Sequence, residues 1–161
     1  MKKEIIDFLE HNNLIEGVGE EGLTDSIKAY DYLMQVKPPL TKKHLLKTHK
    51  LLLRNLNPRI AGNYRDCLVQ VGGRICPPVQ EIPKRLKEFF ELINRKCPKY
   101  SKCEKENFCK LTHIIFEKAH PFEDGNGRTG RLLLNWQRKQ MSLPILIVRY
   151  ENRWEYYNWF I

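Results

Sequence analysis

The sequence contains no long apolar segment. None of its apolar runs approaches the roughly 18 residues that a membrane-spanning helix needs, and Met1-Lys2-Lys3-Glu4 does not lead into the apolar centre of a signal peptide. Internal repeats, low-complexity tracts and linkers are absent too. We therefore expect a cytoplasmic protein that neither spans a membrane nor forms a repeat array. A chain of 161 residues is long enough for one domain with a substantial core.

Cysteine is infrequent, and its five residues cannot all pair with one another. An odd count agrees with a reducing compartment, where thiols stay free. Three cysteines and one histidine follow the pattern C-x5-C-x5-C-x3-H: Cys97, Cys103, Cys109 and His113. These gaps are wider than those of common zinc sites, so we predict unpaired thiols, with Cys109 and His113 as core or helix-surface residues. Zinc binding by the four side chains is the alternative.

Most of the chain carries apolar residues at helical spacing, which predicts an all-α fold. Thr24 or Asp25 is expected to cap the second helix, Thr41 the third, and Ser101 the helix that leads to the central motif. The predicted helices cover residues 3–11, a segment from 24 or 25 to before 38, a segment from 41 to before 57, and residues 81–95, 104–118, 131–139 and 152–161.

One stretch departs from the helical pattern. Two short β-like runs flank a Gly-Gly pair, an arrangement typical of a tight β-hairpin. The hairpin is predicted to comprise Val69, Gln70, Val71, Gly72, Gly73, Arg74 and Ile75. The expected fold is therefore all-α with one small β-hairpin.

The chain is organised around twelve residues, His120-Pro121-Phe122-Glu123-Asp124-Gly125-Asn126-Gly127-Arg128-Thr129-Gly130-Arg131. Proline disfavours helical geometry at the residue before it, so His120 should sit in a turn where a helix has just ended. The glycines of the turn let the backbone approach a ligand closely. Because a second helix follows at once, the loop N–H groups and the helix N-terminus point to one spot. Such a spot binds anions.

Charged side chains complete this anion site. Arg128 and Arg131 are neighbours on one helix face, and arginine suits bidentate contacts to phosphate. His120 is a titratable base, and Asp124 is a carboxylate able to hold Mg²⁺. Phe122 is expected to anchor the loop to the core. A base, a metal-binding carboxylate and a phosphate cradle in one short stretch indicate nucleotide chemistry.

The same residues resemble the signature of the Fic family, His-Pro-Phe-x-Asp/Glu-Gly-Asn-Gly-Arg-x-x-Arg, and match it at every specified position. An ordinary helix–loop–helix corner would explain the glycines and the phenylalanine but not the other residues. The resemblance covers roughly residues 12–160. It implies a Fic-like helical domain that transfers AMP from ATP to a Ser, Thr or Tyr hydroxyl of a target protein (AMPylation).

The resemblance assigns a role to each residue of the motif. His120 would be the general base that takes the proton of the attacking hydroxyl. Asp124 would hold Mg²⁺ between the α- and β-phosphates. The ATP-binding residues would be Gly125, Asn126, Gly127, Arg128 and Arg131. In this arrangement the Gly-Asn-Gly turn meets the α-phosphate, and the two arginines take the β- and γ-phosphates in chain order.

A second resemblance concerns the hairpin. In Fic proteins a Gly-x-Tyr-Arg sequence precedes a β-hairpin flap and Pro-Pro follows it, and this chain has Gly62-Asn63-Tyr64-Arg65 and Pro77-Pro78 at those places. The flap there pairs with an extended segment of the target protein, which adds a strand to an open edge. We therefore expect residues 69–75 to dock the target, with a plain surface hairpin as the alternative.

The N-terminal residues resemble the inhibitory motif of many Fic proteins, Ser/Thr-x-x-x-Glu-Gly/Asn. Glu16 and Gly17 match it, and Asn12 stands where the motif has Ser or Thr. The resemblance implies that residues 1–17 form an inhibitory helix segment of the same domain, in which Glu16 pairs with Arg131. Residues 18–161 would be the Fic-like core, which ends like a truncated C-terminus. A solvated acid before a glycine turn is the alternative for Glu16.

Two other functions fit parts of the sequence. A kinase like the Doc branch of the family binds the nucleotide reversed and has Asp-Ala-Asn-Lys-Arg where this chain has Asp-Gly-Asn-Gly-Arg. Gly127 leaves room for a β-phosphate that a lysine would obstruct, which favours AMP transfer. The second alternative is a catalytically silent, nucleotide-responsive regulatory or DNA-binding module.

The net charge of +9, from 28 Lys+Arg against 19 Asp+Glu, could serve nucleic acid, a membrane surface or a polyanionic small molecule. The lysines are spread along the chain, and no helix-turn-helix or zinc-finger pattern is present. We assign part of the excess to ATP. The expected partners are ATP and a hydroxyl-bearing target protein, with Mg²⁺ as cofactor. Self-modification and homo-oligomers are compatible with this interpretation, and no membrane partner is expected.

Overall fold

Seven α-helices and one two-stranded hairpin occur within residues 2–161, the part of the chain that the computed structural model describes. No described helix is both long and apolar enough to cross a membrane. In chain order the elements are α1 (Lys3–Leu14), α2 (Leu23–Gln35), α3 (Lys42–Leu53), β1 (Gln70–Val71), β2 (Arg74–Ile75), α4 (Ile82–Ile93), α5 (Lys102–Ala119), α6 (Asn126–Gln140) and α7 (Arg153–Tyr157). Short 3₁₀ turns lie at Glu20–Gly22, Val79–Glu81, Tyr150–Asn152 and Asn158–Phe160. The predicted all-α fold with one small hairpin is confirmed.

The central helix is α6. Twelve of its fifteen residues are buried, and it packs against α5, α2, α3 and α1. Its apolar side chains meet those of the surrounding helices in one core, which includes Leu132, Leu133, Trp136, Phe116, Phe89, Leu33 and Leu52. Full burial of such a side chain contributes about 1.5–3 kcal/mol. The start of α6, where the central motif lies, therefore rests on the most firmly packed part of the fold.

Two helices begin at the caps that the sequence predicts. Thr41 and His44 form a capping box at α3. At α5, the Glu104 N–H donates to Ser101 Oγ at 3.3 Å, and the Ser101 N–H donates to the Glu104 carboxylate at 2.7 Å. The start of this 18-residue helix is thereby fixed, and its other end delivers His120.

The predicted cap of α2 is wrong. The helix begins at Leu23, directly after a 3₁₀ turn, with Gly22 as its N-cap residue, so neither Thr24 nor Asp25 caps it. Asp25 is buried in the first turn, where its Oδ1 accepts a hydrogen bond from Arg54 Nε at 3.0 Å. The carboxylate ties α2 to the end of α3, a tertiary contact that a local capping rule does not consider.

Three other helix boundaries differ from the predicted ones. Helix α1 continues beyond residue 11 to Leu14, so Asn12 is helical. Helix α6 starts at Asn126 and not at Arg131, because the residues after Gly125 already adopt helical geometry. The C-terminal aromatic stretch is one short helix, Arg153–Tyr157, between two 3₁₀ turns. The first two differences matter because they place predicted site residues on helices.

The cysteine–histidine pattern does not form a cluster. Cys109 is buried, with its Sγ 3.6 Å from Met141 Sδ. His113 is also buried, and its Nε2 lies 2.8 Å from the hydroxyl of Tyr156. Throughout residues 2–161, no three His, Cys, Asp or Glu side chains are grouped so that they could hold a metal ion. Cys109 and His113 are core residues.

Candidate active site

His120 lies directly after the last residue of α5 in a left-handed conformation (φ 44°, ψ 60°). This conformation is uncommon for a residue other than glycine. Pro121 explains why α5 ends here, because proline disfavours right-handed helical geometry at the residue before it. The His120 N–H donates to the Phe116 carbonyl at 3.1 Å, and the His120 carbonyl accepts from Arg65 Nε at 2.7 Å. The predicted turn at His120 is confirmed.

The imidazole of His120 has a lowered pKa. Burial is the main cause, and the nearby Arg65 guanidinium adds to it. A hydrogen bond to the Glu117 carbonyl and the carboxylates of Glu16 and Asp124 act in the opposite direction without cancelling the effect of burial. The ring is therefore neutral near neutral pH, and a neutral ring can accept a proton.

The loop after His120 is held by Phe122 and Asn126. The Phe122 N–H donates to Asn126 Oδ1 at 2.9 Å, and Asn126 Nδ2 donates back to the Phe122 carbonyl at 2.9 Å. The Phe122 ring is fully buried in the core, which confirms its predicted role as an anchor. The side-chain amide of Asn126, which the sequence assigned to a phosphate, is instead occupied by the loop's own backbone.

His49 supports the same loop, a role that the sequence did not indicate. Its ring stacks on Phe122 with the ring centres 3.7 Å apart. Nδ1 accepts from the Gly62 N–H at 2.9 Å, so Nε2 carries the proton and donates to the Asp124 carbonyl at 3.0 Å. Burial lowers the pKa of His49 to about 4. A side chain at Gly125 (φ 76°) would press on this ring, so glycine is required there.

Arg128 is a buried cation with unused donors. It is 1% exposed, and within residues 2–161 its Nε and Nη1 have no hydrogen-bond partner. Its Nη2 lies 3.4 Å from Asp124 Oδ2, at the long end of an ion pair. An α-helix leaves the N–H groups of its first turn without intrahelical acceptors, and Arg128 is in the first turn of α6. The helix start and the guanidinium together form a candidate anion site.

Asp124 is the acidic group beside this anion site. Its Oδ1 accepts from the Gly125 N–H at 2.6 Å, and its side chain is 58% exposed. Mg²⁺ is commonly held by one or two carboxylates together with the phosphates of a nucleotide. A single accessible carboxylate beside an anion site fits a Mg²⁺ ion that arrives with its nucleotide.

Arg131, the second arginine, is fully engaged by other parts of the chain. Its Nη2 donates to Glu16 Oε1 at 2.7 Å and to the Asn12 carbonyl at 3.1 Å. Its Nε donates to Asn12 Oδ1 at 2.6 Å, and its Nη1 to the Tyr156 hydroxyl at 3.3 Å. Asn12 also donates to the Arg128 carbonyl at 3.3 Å. The N-terminal helix thus places both residues of its motif on the second arginine.

Gly127 provides the space for this contact. A Cβ at Gly127 would overlap the carboxylate of Glu16 and would lie 3.0 Å from Arg131 Nη1. The sequence predicts that a phosphate of ATP needs the same space. In the structure the Glu16 carboxylate fills this space.

Comparison with known proteins identifies the family. Residues 39–137 match the model of the Fic/DOC family. The chain belongs to the Fic/DOC family. The matching region includes the Gly-x-Tyr-Arg segment, the hairpin and the whole central motif.

Several curated proteins resemble this Fic chain over most of its length. The protein adenylyltransferase Fic of Nematostella vectensis is 30% identical over 153 residues, which are 94% of this chain and 34% of that protein. The protein of the same name from Drosophila melanogaster is 30% identical over 149 residues, 92% of this chain and 29% of that protein. The chain spans about a third of the length of the curated relatives it matches.

Solved Fic structures share the fold. A fragment of Fic-1 from C. elegans gives a TM-score of 0.78 at 22% identity, covering 98% of this chain and 55% of that chain. A Fic-domain-containing signalling protein from Bacteroides thetaiotaomicron gives a TM-score of 0.78 at 21% identity, covering 97% of this chain and 70% of that chain. At these identities the likeness concerns the fold alone.

A buried polar layer lies behind Arg131 in this Fic domain, and the sequence did not indicate it. Tyr156 from α7 bridges Arg131 and His113 through its hydroxyl. The side chain of Glu117 is 13% exposed, and its partial burial raises the pKa of its carboxyl to about 8 even though the nearby Arg131 opposes the shift. A side chain at Gly130 would overlap this carboxyl. Glu117 is therefore a neutral acid that helps to surround the second arginine.

The predicted hairpin is confirmed, although its strands are short. Gln70 pairs with Ile75 and Val71 with Arg74 in an antiparallel register. The turn residues Gly72-Gly73 both have positive φ angles, of 54° and 79°, as a tight two-residue hairpin turn requires. Both strands are exposed to solvent. The hairpin of this Fic domain therefore offers free main-chain groups at its edges.

Proposed function

We propose that this Fic domain transfers AMP from ATP to a hydroxyl side chain of a target protein. The observation that carries the proposal is the buried guanidinium of Arg128, which has two nitrogens without partners in the described chain. A buried cation without a close counterion is costly, so the site suits an anion supplied from outside. The names of the relatives, protein adenylyltransferase Fic, support ATP as the source of that anion.

In the proposed reaction the hydroxyl oxygen of the target attacks the α-phosphorus of ATP. A new O–P bond forms, the bond from the α-phosphorus to the bridging oxygen breaks, and pyrophosphate leaves. The neutral imidazole of His120 carries a proton on only one of its two ring nitrogens. The other nitrogen is therefore free to take the proton of the hydroxyl.

The phosphates would be held by the start of α6 and by the two arginines. The backbone N–H groups from Gly125 to Gly127 would bind the α-phosphate, Arg128 the β-phosphate and Arg131 the γ-phosphate. Because its side chain is occupied by Phe122, Asn126 would contribute only through its N–H group. Asp124 would hold Mg²⁺, which neutralises phosphate charge when bound.

Labelled ATP tests the proposal against its two alternatives. With the wild type and a Glu16→Gly variant, AMP transfer should label protein from ATP labelled at the α-phosphate and not from ATP labelled at the γ-phosphate. Label from the γ-phosphate alone would identify a Doc-like kinase. No label from either nucleotide, with either chain, would leave a silent module and overturn the proposal.

Replacing Arg128 with methionine should lower AMP transfer by roughly 10²-fold or more, the usual cost of removing one donor to a transition-state anion. The same change should not lower the thermal midpoint of unfolding, because the buried charge has almost no partners to lose. Initial rates and calorimetric melting measure the two effects. An Arg128→Met chain that unfolds earlier yet still transfers AMP at the wild-type rate would make Arg128 a structural residue.

The N-terminal segment is proposed to inhibit the reaction. Residues 1–17 end at Glu16 and Gly17, directly after α1, and residues 18–161 form the core on which they act. Asn12, Glu16 and Tyr156 together contact every nitrogen of the Arg131 guanidinium. While these contacts persist, four of the five N–H donors of Arg131 are occupied, and the Glu16 carboxylate repels a γ-phosphate. ATP could then bind only in a displaced pose.

The hairpin is proposed to dock the target by strand addition. The Cys76 N–H donates to the Val69 carbonyl at 3.0 Å, and antiparallel pairs alternate between hydrogen-bonded and non-hydrogen-bonded. The next pair, Gln70 and Ile75, is therefore non-hydrogen-bonded. The N–H groups of these two residues point away from each other, toward the free edges of the hairpin, where an extended segment can pair.

Proline at the docking edge should reduce target labelling. Gln70→Pro and Ile75→Pro each remove one outward N–H, and one lost hydrogen bond of about 1–1.5 kcal/mol corresponds to roughly a fivefold to tenfold loss. One of the two variants should lower the labelling of lysate proteins by that factor, while ATP affinity is retained. Gln70→Ala and Ile75→Ala keep the N–H and are the controls. Full labelling by both proline variants would contradict docking at the hairpin.

A further inference from the structure

Arg65 connects the hairpin to the backbone of His120. It is 3% exposed, and each of its three guanidinium nitrogens donates to a main-chain oxygen. Nε donates to the His120 carbonyl at 2.7 Å, Nη1 to the Cys67 carbonyl at 2.9 Å and Nη2 to the Pro77 carbonyl at 2.5 Å. The backbone N–H of Arg65 also donates to the Pro121 carbonyl at 3.0 Å. One residue therefore contacts three separate segments of the chain.

These contacts do not include an ion pair. Within residues 2–161, no carboxylate lies within ion-pair distance of the Arg65 guanidinium. Burial of a positive charge against neutral carbonyls is an expensive way to gain stability. What arginine offers here is geometry, since its planar fork can hold three acceptors in fixed positions at once. A lysine could not span all three.

The three acceptor carbonyls lie at the two ends of the hairpin and at His120. Cys67 precedes β1 and Pro77 follows β2, so they mark the two ends of the hairpin. The third acceptor belongs to His120, the proposed base, whose left-handed backbone needs support. The guanidinium thus fixes the two ends of the hairpin relative to His120, the residue that would take the proton.

We infer that Arg65 is a positioning residue, which sets the distance between a target segment docked on the hairpin and the imidazole of His120. The inference rests on the proposed function. A general base must lie within about 2.6–3.2 Å of the hydroxyl that it deprotonates. The hairpin would locate the target hydroxyl and α5 locates the base, and Arg65 joins these two elements. A misplacement of about 1 Å can lower a rate by roughly 10²-fold.

The test compares Arg65→Lys with Arg59→Lys, both in a Glu16→Gly background. Arg59 is the matched control, because it contacts the same loop through an exposed ion pair with Glu123. Three quantities are measured: labelling of lysate proteins from α-labelled ATP, ATP affinity by calorimetry, and amide hydrogen exchange in residues 68–76 and 119–126. Arg65→Lys should lower labelling by roughly 10²-fold, accelerate exchange in both segments and leave ATP affinity unchanged. Arg59→Lys should change none of the three.

The outcomes separate this inference from the proposed function. If the Glu16→Gly parent labels nothing, the proposed function fails, and exchange alone then judges Arg65: unchanged exchange in the two segments overturns the inference. If the parent labels and Arg65→Lys labels equally well, Arg65 does not position the base. A parallel loss of labelling and ATP affinity would reduce Arg65 to a general stabilising residue and would also overturn the inference.

Discussion

Replacing His120 is expected to lower AMP transfer by roughly 10²- to 10⁴-fold, the usual cost of losing a general base. ATP affinity should be unchanged, because the groups proposed to hold the phosphates lie at the start of α6. Asparagine is a more informative replacement for His120 than alanine. The residue has a φ of 44°, and asparagine tolerates this conformation better than alanine while supplying no base. His120→Asn therefore removes the base with the least disturbance of the loop.

The measurement is the rate of incorporation from α-labelled ATP by wild type, His120→Asn and a control, His44→Asn. His44 belongs to the cap of α3 and is remote from the motif in sequence, so its replacement should leave transfer unchanged. The lowered pKa of His120 adds a second check. Because the neutral ring is the active form, the wild-type rate should fall only as the pH drops below the usual histidine pKa of about 6.5. Equal transfer by His120→Asn and wild type would remove His120 from the mechanism.

Features set by near neighbours in the chain could be predicted from the sequence. The caps at Thr41 and Ser101, the end of α5 before Pro121 and the Gly-Gly turn each depend on residues a few positions apart. The motif could be predicted for the same reason, since its charged groups lie in one short loop. The charged groups of the motif are close in sequence, whereas the residues that hold its loop in place come from distant parts of the chain.

The residues that hold the loop could not be predicted, because their partners are distant in sequence. His49 contacts Asp124 across 75 positions, and Arg65 contacts His120 across 55. On α3, a histidine between buried leucines gives no sign of which loop it faces. Asn126 is expected from the motif to bind a phosphate, and the motif does not indicate that its side chain also hydrogen-bonds the backbone of Phe122, four residues away. Tertiary packing determines these roles, and periodicity does not report it.

Asn12 illustrates how a departure from a motif can be compensated. Its position has Ser or Thr in the motif, so the sequence alone suggested a weaker contact. In the structure Asn12 is 1% exposed and contacts the arginine with both its side chain and its carbonyl. An asparagine offers a longer reach and a carbonyl acceptor that a hydroxyl lacks. The substitution therefore adds a direct hydrogen bond to Arg131.

Replacing Glu16 with glycine is expected to raise AMP transfer by roughly 10- to 100-fold. Hydrogen bonds to charged groups contribute about 1.5–3 kcal/mol, and each 1.4 kcal/mol is about tenfold in an equilibrium constant. The carboxylate accepts from Arg131 at 2.7 Å while its partner is only 2% exposed. It also fills the space above Gly127. Its removal frees a donor of Arg131 for the γ-phosphate and the space above Gly127 that is expected to hold the β-phosphate.

The gain from Glu16→Gly should be incomplete, because Asn12 continues to hold Arg131 at 2.6 Å. The combined variant Asn12→Ala/Glu16→Gly should therefore transfer AMP faster than either single variant. Glu16→Gln, which keeps the size of the side chain but removes its charge, should give an intermediate rate. Glu10→Ala is the control, since this exposed acid of the preceding helix, α1, makes no hydrogen bond or ion pair with Arg131. This order of rates is expected because Asn12 and Glu16 each make their own hydrogen bonds to Arg131.

The order of rates distinguishes inhibition from a general loosening of the domain. Initial rates from α-labelled ATP are compared for the wild type, Asn12→Ala, the four variants just named and Glu16→Gly/His120→Asn. If Glu16 blocks the γ-phosphate, the gain requires His120, so the last variant must return to background. Activation should also raise the affinity for ATP more than the affinity for AMP, because AMP has no γ-phosphate to meet Arg131. Equal rates for Glu16→Gly and wild type would leave Glu16 as a surface acid at a glycine turn, and the contact with Arg131 would then serve only to fasten α1 to α6.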